Sequence, residues 1–293
     1  MSKENGFVVI DKPSGITSHD VVAKIRRVLN TKKVGHAGTL DPMATGVLVL
    51  GINDGTKFLS FITDGKKRYE ATICLGVSTV TDDKEGEILS SADASTIKDD
   101  EIRFELAKFI GRILQRPSSV SAIKVDGVRS YDRVRKGEQV ELPPREVEIY
   151  ELVVLAIRPD TKQVTKQDTK LEIDIDVTCS SGTYIRAIAR DLGVALGVGG
   201  HLTALRRTEV SPFTLEDTTS LEAPQVRPLK ESLNGVLPSR LLNEDQIREL
   251  RFGRFISPSP FAGPGIAIDA DDNVIAIIEN HGEQARPINV FNP

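Results

Sequence analysis

The chain has 293 residues, of which 39% are hydrophobic and 27% are charged, and its formal net charge is −4. This length and composition predict a folded protein with room for two domains. The sequence has no apolar run long enough to cross a bilayer, and residues 1–6 lack the apolar core of a signal peptide. We therefore expect a cytoplasmic protein without a membrane segment.

The two cysteines, Cys74 and Cys179, are far apart, and each lies in a strand-like segment. This placement is typical of reduced core residues and not of a disulfide framework. The chain has 4 His and no Cys-His spacing of the kind that binds a metal cluster. We expect neither a disulfide nor a bound metal.

The N-terminal segment predicts a strand, a helix and a second strand. Residues 7–10 are an apolar strand, and residues 17–20 have the capping-box pattern of a helix start. The apolar run 47–50 predicts a buried strand. Before that strand, residues 35–46 read Gly-His-Ala-Gly-Thr-Leu-Asp-Pro-Met-Ala-Thr-Gly, which predicts a tightly turned loop because glycines tolerate backbone angles that other residues avoid.

This loop carries one carboxylate in a constrained position. Pro42 pushes the backbone of Asp41 towards an extended conformation. A carboxylate on a rigid loop beside a core strand is a common arrangement in active sites. From these residues alone, an Asp that caps its own turn is the more common interpretation, since Asp-Pro turns are frequent.

The following residues alternate strands and helices. The predicted elements are a short helix over 56–62, a half-buried strand over 68–75, a helix over 99–110, strands over 147–157 and 171–179, a helix after Gly182, and a strand over 201–210. Residues 80–95 are polar and acidic, and we expect a surface loop there. Asp126-Gly127 predicts a hairpin, and a short basic helix is expected over 131–136. This order predicts an α+β fold around a mixed, largely antiparallel sheet with flanking helices.

The C-terminal residues predict a separate small module. Residues 223–240 contain Pro224, Pro228 and Pro238 and are interpreted as a linker. A helix over 243–252, a hairpin around 271–273 and a last strand over 288–291 then follow. Together these elements predict a compact β-rich unit in which acidic residues outnumber basic ones.

Positive charge is clustered, although the total charge is negative. The clusters are Lys24, Arg26, Arg27, Lys32 and Lys33; Lys66, Lys67 and Arg68; Arg129, Arg133, Arg135 and Lys136; and Arg206 and Arg207. One such cluster is typical of a solvated face. Four of them suggest a basic groove, because phosphate binding depends on local and not total charge.

The loop at 35–46 resembles the catalytic motif of the TruB family, the synthases that make pseudouridine at position 55 of tRNA. Five more segments resemble motifs of that family and occur in its order: Asp11–Gly15, Lys67–Ala71, Ser121–Lys124, Ser181–Arg186 and Leu205–Arg207. The resemblance covers the chain from about Phe7 to Phe213. It implies the bacterial type of the family and favours a functional role for Asp41.

The resemblance also implies the domain organisation. We expect a catalytic pseudouridine synthase domain over 1–230, with an RNA-clamping insertion at about 118–146, and a PUA-like module over 238–293. The surplus of acidic residues in that module predicts that it contributes little to RNA affinity.

The implied reaction isomerises uridine to pseudouridine in the T arm of tRNA, by base flipping and with no cofactor. Asp41 is the implied catalytic group, by attack on the base or sugar or by removal of a sugar proton. Arg186 is the implied cation that keeps this carboxylate charged and directed. Its alternative interpretation is an exposed helix arginine, although the first turn of a helix disfavours a cation.

The family motifs assign a substrate-binding role to four further residues. Tyr69 would stack on the flipped uracil, Tyr184 and Leu205 would form the pocket, and His36 would fill the gap left in the RNA. The structural alternatives are core aromatic residues, a core leucine and a loop histidine.

Two other functions fit parts of the sequence. A tRNA-folding protein would use the same basic clusters without needing the set of Asp41, Tyr69 and Arg186. A glycosidase would need a second carboxylate, which the matched motifs do not supply. We expect tRNA as the partner, no obligate protein partner and a monomer.

Overall fold

The computed structural model describes residues 4–118, 124–125, 128–129, 142–159 and 169–291. The basic helix predicted over 131–136, and most of the predicted insertion, lie outside these residues. The described strands up to the C-terminal module are β1 (Gly6–Lys12), β2 (Val34–His36), β3 (Thr45–Ile52), β4 (Lys67–Leu75), β5 (Val77–Thr79), β6 (Ile88–Ser91), β7 (Gly111–Gln115), β8 (Lys124–Val125), β9 (Val128–Arg129), β10 (Arg145–Pro159), β11 (Leu171–Cys179), β12 (Gly200–Val210), β13 (Phe213–Thr214) and β14 (Arg227–Pro228).

Ten of the described strands form one mixed sheet. Its order is β14-β1-β3-β12-β4-β11-β10-β7, with β2 paired to β3 and β13 to β12. Neighbours in this sheet are antiparallel except β3 and β12, which pair in parallel through Arg206–Thr45 and Arg207–Gly46. That exception is important for the site, because it joins the end of the Asp41 loop to a strand about 160 residues later in the sequence.

The strand β3 is apolar on both faces because both faces of the sheet are covered. Val8, Leu48 and Leu50 face one hydrophobic core. The alternating positions Val47 and Val49 face a second core, which includes residues of the C-terminal module. The continuous apolar run that predicted a buried strand therefore reflects burial from two sides.

Except for the helix Leu229–Ser232, which lies in the predicted linker, the described helices agree with the sequence in position. They are α1 (Ser18–Val28), α2 (Leu59–Thr63), α3 (Asp99–Ala107), α4 (Ile185–Ala195), α5 (Leu229–Ser232) and α6 (Glu244–Arg251), and a 3₁₀ helix over Asn53–Phe58 precedes α2. Thr17 and Asp20 form the predicted capping box at the start of α1. No helix in the described part of the chain has the length and apolar character needed to cross a bilayer.

Two predictions about connecting segments were wrong. Residues 80–95 are not simply a surface loop: they include β6, and Asp82 and Asp83 are buried against other parts of the chain. The predicted linker over 223–240 includes β14 and α5, and it buries Leu229 and Leu233 in the second core. Both segments are polar in composition, and their buried side chains contact residues distant in sequence.

The C-terminal residues form the separate sheet that the sequence predicts. Its strands are β15 (Ser239–Leu241), β16 (Gly265–Ile268), β17 (Val274–His281) and β18 (Gln284–Val290), in that order. The aromatic ring of Phe291 stacks on that of Phe58 with centroids 5.2 Å apart. The module thus packs on the main sheet through the second core.

Candidate active site

The loop that carries Asp41 is fixed by hydrogen bonds from a buried lysine side chain. The Lys12 side chain is fully buried, and its Nζ donates to the carbonyl oxygens of Pro13, Ile16 and Pro42 at 3.0, 2.8 and 3.2 Å. Burial lowers the pKa of Lys12 to about 8, against the opposing effect of Asp41. Gly38 has a φ of +95°, which favours glycine. The Asp41 carboxylate is thereby held on a loop with little freedom.

Asp41 forms a two-point ion pair with Arg186. The Arg186 Nε lies 3.0 Å from Asp41 Oδ2, and Nη2 donates to Oδ1 at 3.4 Å. The side chain of Arg186 is 6% exposed, whereas that of Asp41 is 34% exposed. The guanidinium therefore fixes the direction of a carboxylate that remains accessible. Arg186 occupies the first turn of α4 as predicted, but it is buried, which removes the interpretation as an exposed helix arginine.

A second carboxylate lies behind Arg186. Asp83 Oδ2 is 3.4 Å from Arg186 Nη1, which also donates to the Thr81 carbonyl oxygen at 2.8 Å and to Ser118 Oγ at 3.4 Å. Asp83 is 4% exposed. The order Asp41–Arg186–Asp83 thus places one accessible carboxylate in front of a buried cation and one buried carboxylate behind it.

The accessible side of this network opens into a pocket of about 260 Å³. Residues from five segments line it: Gly38–Asp41, Thr63, Lys67 and Tyr69, Ser181–Arg186, and Leu205 and Arg207. Five of the six residues predicted for the site, namely Asp41, Tyr69, Tyr184, Arg186 and Leu205, therefore meet at one cavity. Burial raises the pKa of the Tyr69 hydroxyl, and Arg207, which interacts with that hydroxyl, opposes the shift.

His36 is the sixth predicted residue, and it lies apart from this pocket. It is on β2, where its ring meets that of His19 edge-on with centroids 5.5 Å apart. Burial, followed by the nearby charges of His19 and Arg207, lowers the pKa of His36. Its Nδ1 is buried and has no hydrogen-bond partner among the described residues.

Comparison with known protein families identifies the relatives of this chain. Residues 26–185 match the family described as TruB family pseudouridylate synthase (N terminal domain). Residues 186–237 match the tRNA pseudouridylate synthase B C-terminal domain, and residues 237–292 match tRNA Pseudouridine synthase II, C terminal. The chain belongs to the TruB family of pseudouridylate synthases.

Relatives of the TruB family match over nearly the whole chain. The tRNA pseudouridine synthase B of Arthrobacter sp. is 49% identical over 99% of this chain and 97% of its own length. The protein of the same name from Corynebacterium diphtheriae is 48% identical over 99% of this chain and 97% of its own length. The family resemblance inferred from the motifs is confirmed, and the chain is an enzyme of the pseudouridine synthase type.

Solved structures confirm the α+β fold. The crystal structure of the archaeal box H/ACA sRNP Nop10-Cbf5 complex contains a chain with a TM-score of 0.70 and 23% identity, covering 98% of this chain and 86% of that chain. A chain in the structure of H/ACA RNP bound to a substrate RNA containing 2'-deoxyuridine has a TM-score of 0.69 and 23% identity, covering 98% of this chain and 85% of that chain. At this identity the likeness concerns the fold alone.

The TruB motifs that identify the site do not include all of its residues. Asp83 lies in the segment 80–95 that the sequence predicts as an acidic surface loop, yet its carboxylate contacts Arg186 on the side away from Asp41. The sequence places Lys67 and Arg207 in basic clusters of an expected phosphate-binding groove, but both side chains are buried and line the pocket. A buried arginine needs nearby negative charge, and this need points to Asp83. The sequence does not show that Arg186 is buried, so Asp83 could be identified only from the structure.

We expect Asp83→Asn to slow pseudouridine formation at least about tenfold, or roughly 1.4 kcal/mol of barrier. The amide removes the charge behind Arg186, so the guanidinium loses one of the two carboxylates that fix it. Binding of tRNA should stay unchanged, because Asp83 does not line the pocket. Single-turnover rates and tRNA dissociation constants, measured on the same preparation, check both effects.

The neighbouring Asp82 supplies a matched control. It is also buried, but its Oδ2 pairs with Arg190 at 3.2 Å. Asp82→Asn therefore removes a buried ion pair of similar kind while leaving both carboxylates beside Arg186. Equal losses of rate in the two variants would mean that the effect of Asp83 is general destabilisation.

Proposed function

We propose that this chain converts uridine 55 in the T arm of tRNA to pseudouridine, with Asp41 as the catalytic group. The observation that carries the proposal is the carboxylate of Asp41, held at two points by a buried arginine at the wall of a pocket of about 260 Å³. The relatives named tRNA pseudouridine synthase B support tRNA as the substrate. A tRNA substrate in turn supports the expected cytoplasmic location.

The reaction exchanges one bond for another. The bond between N1 of uracil and C1′ of ribose breaks, the base turns, and C5 bonds to C1′; the C5 proton leaves and N1 gains a proton. No atom is gained or lost, so the reaction needs no redox or group-transfer cofactor. Asp41 would act by attack on the base or sugar or by removing a sugar proton. Its two-point contact with Arg186 supports each role, because the carboxylate is oriented before the substrate arrives.

Base flipping is proposed because the target base is stacked inside the folded T arm. Tyr69 would stack on the ring of the flipped uracil, and Leu205 and Tyr184 would form further walls, which is supported by the position of all three in the pocket lining. His36 lies outside this pocket, which is compatible with contact to the RNA that remains behind. To occupy the gap that the flipped base leaves in the RNA, the His36 ring must be held in position. His36 lies in β2, which is paired with β3.

The ion-pair network favours an enzyme over a protein that only binds and folds tRNA. Binding of a polyanion gains nothing from an accessible carboxylate such as Asp41. A glycosidase is disfavoured because the second carboxylate, Asp83, is buried behind Arg186 and does not line the pocket. The separate β15–β18 sheet supports the proposed division into a catalytic domain over 1–230 and a module over 238–293. We retain the proposal of a monomer without an obligate protein partner.

The proposal is tested by incubating the protein with unmodified tRNA and mapping pseudouridine chemically. We expect one modified position, uridine 55, and a matched tRNA with cytidine at that position should remain unmodified. Formation of pseudouridine elsewhere in the same tRNA would contradict the assigned position. Tight binding of tRNA without any pseudouridine would favour the tRNA-folding protein instead.

A further inference from the structure

Two buried cations in the wall of the pocket have no role in the function described so far. Lys67, the first residue of β4, is 6% exposed, and Arg207 on β12 is 1% exposed. Both line the pocket that contains Asp41. They converge behind Gly38, where an added methyl group would lie 3.6 Å from Arg207 Nη1 and 3.8 Å from Lys67 Cε.

Carbonyl groups hold both cations. Lys67 Nζ donates to the carbonyl oxygens of Thr63 and Gly65 at 2.6 and 2.8 Å. Arg207 Nε donates to Val47 at 2.8 Å and Nη2 to Gly38 at 3.1 Å, again to carbonyl oxygens. Among the described residues, no carboxylate lies within 4.0 Å of either cation, in contrast to the two carboxylates beside Arg186. Carbonyl dipoles orient a cation without cancelling its charge.

Such an arrangement is unfavourable for the free protein. Burial, reinforced by the charge of Arg207, lowers the pKa of Lys67 to about 8, while Cys179 and Asp64 act in the opposite direction. Cations buried only for packing are normally paired with a carboxylate or replaced by an apolar residue. Buried cations that lack a carboxylate partner and line a pocket instead favour an anion that forms there.

The proposed reaction creates an anion of this kind. When the N1–C1′ bond breaks with both electrons remaining on N1, uracil leaves with a negative charge spread over N1, O2 and O4. Addition of Asp41 to the base would also place negative charge on the ring. The bound uridine is neutral at the base, so a nearby cation stabilises the transition state more than the bound substrate. Only such a difference increases the rate of the chemical step.

We propose that Lys67 and Arg207 are catalytic residues that together stabilise the negative charge on the detaching uracil. This inference rests on the proposed function, because it requires a uridine in the pocket. Asp41 then acts on the nucleotide from the side of Arg186, and the cation pair acts on the base from the side of Gly38. The pair donates no proton in this step and forms no bond to the substrate.

Lys67→Met tests the proposal with a change that keeps the length of the side chain. We expect the single-turnover rate on uridine-containing tRNA to fall about 100-fold, with the tRNA dissociation constant unchanged within about twofold. The single-turnover rates of the parent and Lys67→Met are then compared on tRNA that contains 5-fluorouridine. The rate is measured as the disappearance of 5-fluorouridine from the tRNA. Fluorine stabilises the departing anion by itself, so the deficit of the variant should shrink to about 10-fold.

The pH dependence provides a second readout. For the parent, kcat/KM should fall as pH rises above about 8, because the pKa of Lys67 is about 8 and the protonated form is required. In Lys67→Arg this fall should disappear, since arginine stays charged. Lys12 also has a pKa of about 8, and it is unchanged in Lys67→Arg. A fall that persists in Lys67→Arg would therefore be assigned to Lys12, and it would overturn the requirement for protonated Lys67.

Lys170→Met is the matched structural control. Lys170 is 3% exposed, its Nζ donates to the carbonyl oxygens of Gly76 and Ala92 at 2.9 Å, and it does not line the pocket. Its replacement should change the single-turnover rates on uridine and 5-fluorouridine tRNA by the same factor. Equal deficits of Lys67→Met on uridine and 5-fluorouridine would overturn the proposal, as would a parent-like rate. If Lys67→Met does not fold, the proposal is tested by the rates of Arg207→Lys on the two substrates and by the pH profile of Lys67→Arg. An inactive parent would instead refute the proposed function.

Discussion

We expect Asp41→Asn to reduce pseudouridine formation below detection while tRNA binding is retained. The amide has nearly the size of the carboxylate, so the loop held by Lys12 and Gly38 should persist. It lacks the negative charge and is a very poor nucleophile or base. Affinity for tRNA should not fall, because a carboxylate near phosphates is electrostatically unfavourable.

The Asp41→Asn measurement is paired. Affinity is measured by filter retention and pseudouridine by chemical mapping, both on one preparation whose thermal stability is compared with the parent. A rate within about tenfold of the parent, or roughly 1.4 kcal/mol of barrier, would exclude Asp41 as the essential group. Loss of both binding and activity in a folded protein would favour the binding-protein alternative.

The second large effect is expected for Arg186→Lys. Arginine and lysine differ at this position because the guanidinium contacts Asp41 through Nε and Nη2 and Asp83 through Nη1. A single ammonium cannot maintain both contacts, although it keeps the charge. We expect the single-turnover rate to fall at least about 100-fold, with the dissociation constant of tRNA little changed.

Arg190→Lys is the matched control for this change. Arg190 lies one turn further along α4 and pairs with Asp82 at 3.2 Å and with Asp191 at 2.8 Å. Its replacement alters the same helix without touching Asp41. Similar rate losses in Arg190→Lys and Arg186→Lys would show that the loss comes from a change in α4 and not from the guanidinium contacts of Arg186 with Asp41 and Asp83.

Local patterns predicted much of this fold. The capping box at Thr17 and Asp20 places the start of α1, and the apolar run 47–50 identifies β3 as a buried strand. The alternation along 68–75 predicts β4, on which Tyr69 lies. These features depend on residues close together in the sequence, and local chemistry is therefore sufficient for them.

Residues joined only by the tertiary structure could not be predicted in the same way. The parallel pairing of β12 with β3 brings Arg207 beside Gly46, and no local pattern encodes that contact. In the sequence, Asp83 resembles a solvent-exposed acidic residue, because its partner Arg186 is about 100 residues away. The motif resemblance located Asp41 and Arg186, but the charges that surround them are visible only in the folded chain.

The most direct test of the catalytic pocket is a crystal structure of the Asp41→Asn variant bound to a T-arm stem-loop RNA that contains uridine 55. We predict that nucleotide 55 is turned out of the RNA stack, with its ring against Tyr69 and its ribose beside residue 41. A complex in which uridine 55 remains stacked in the RNA and this pocket holds no nucleotide would contradict the assignment.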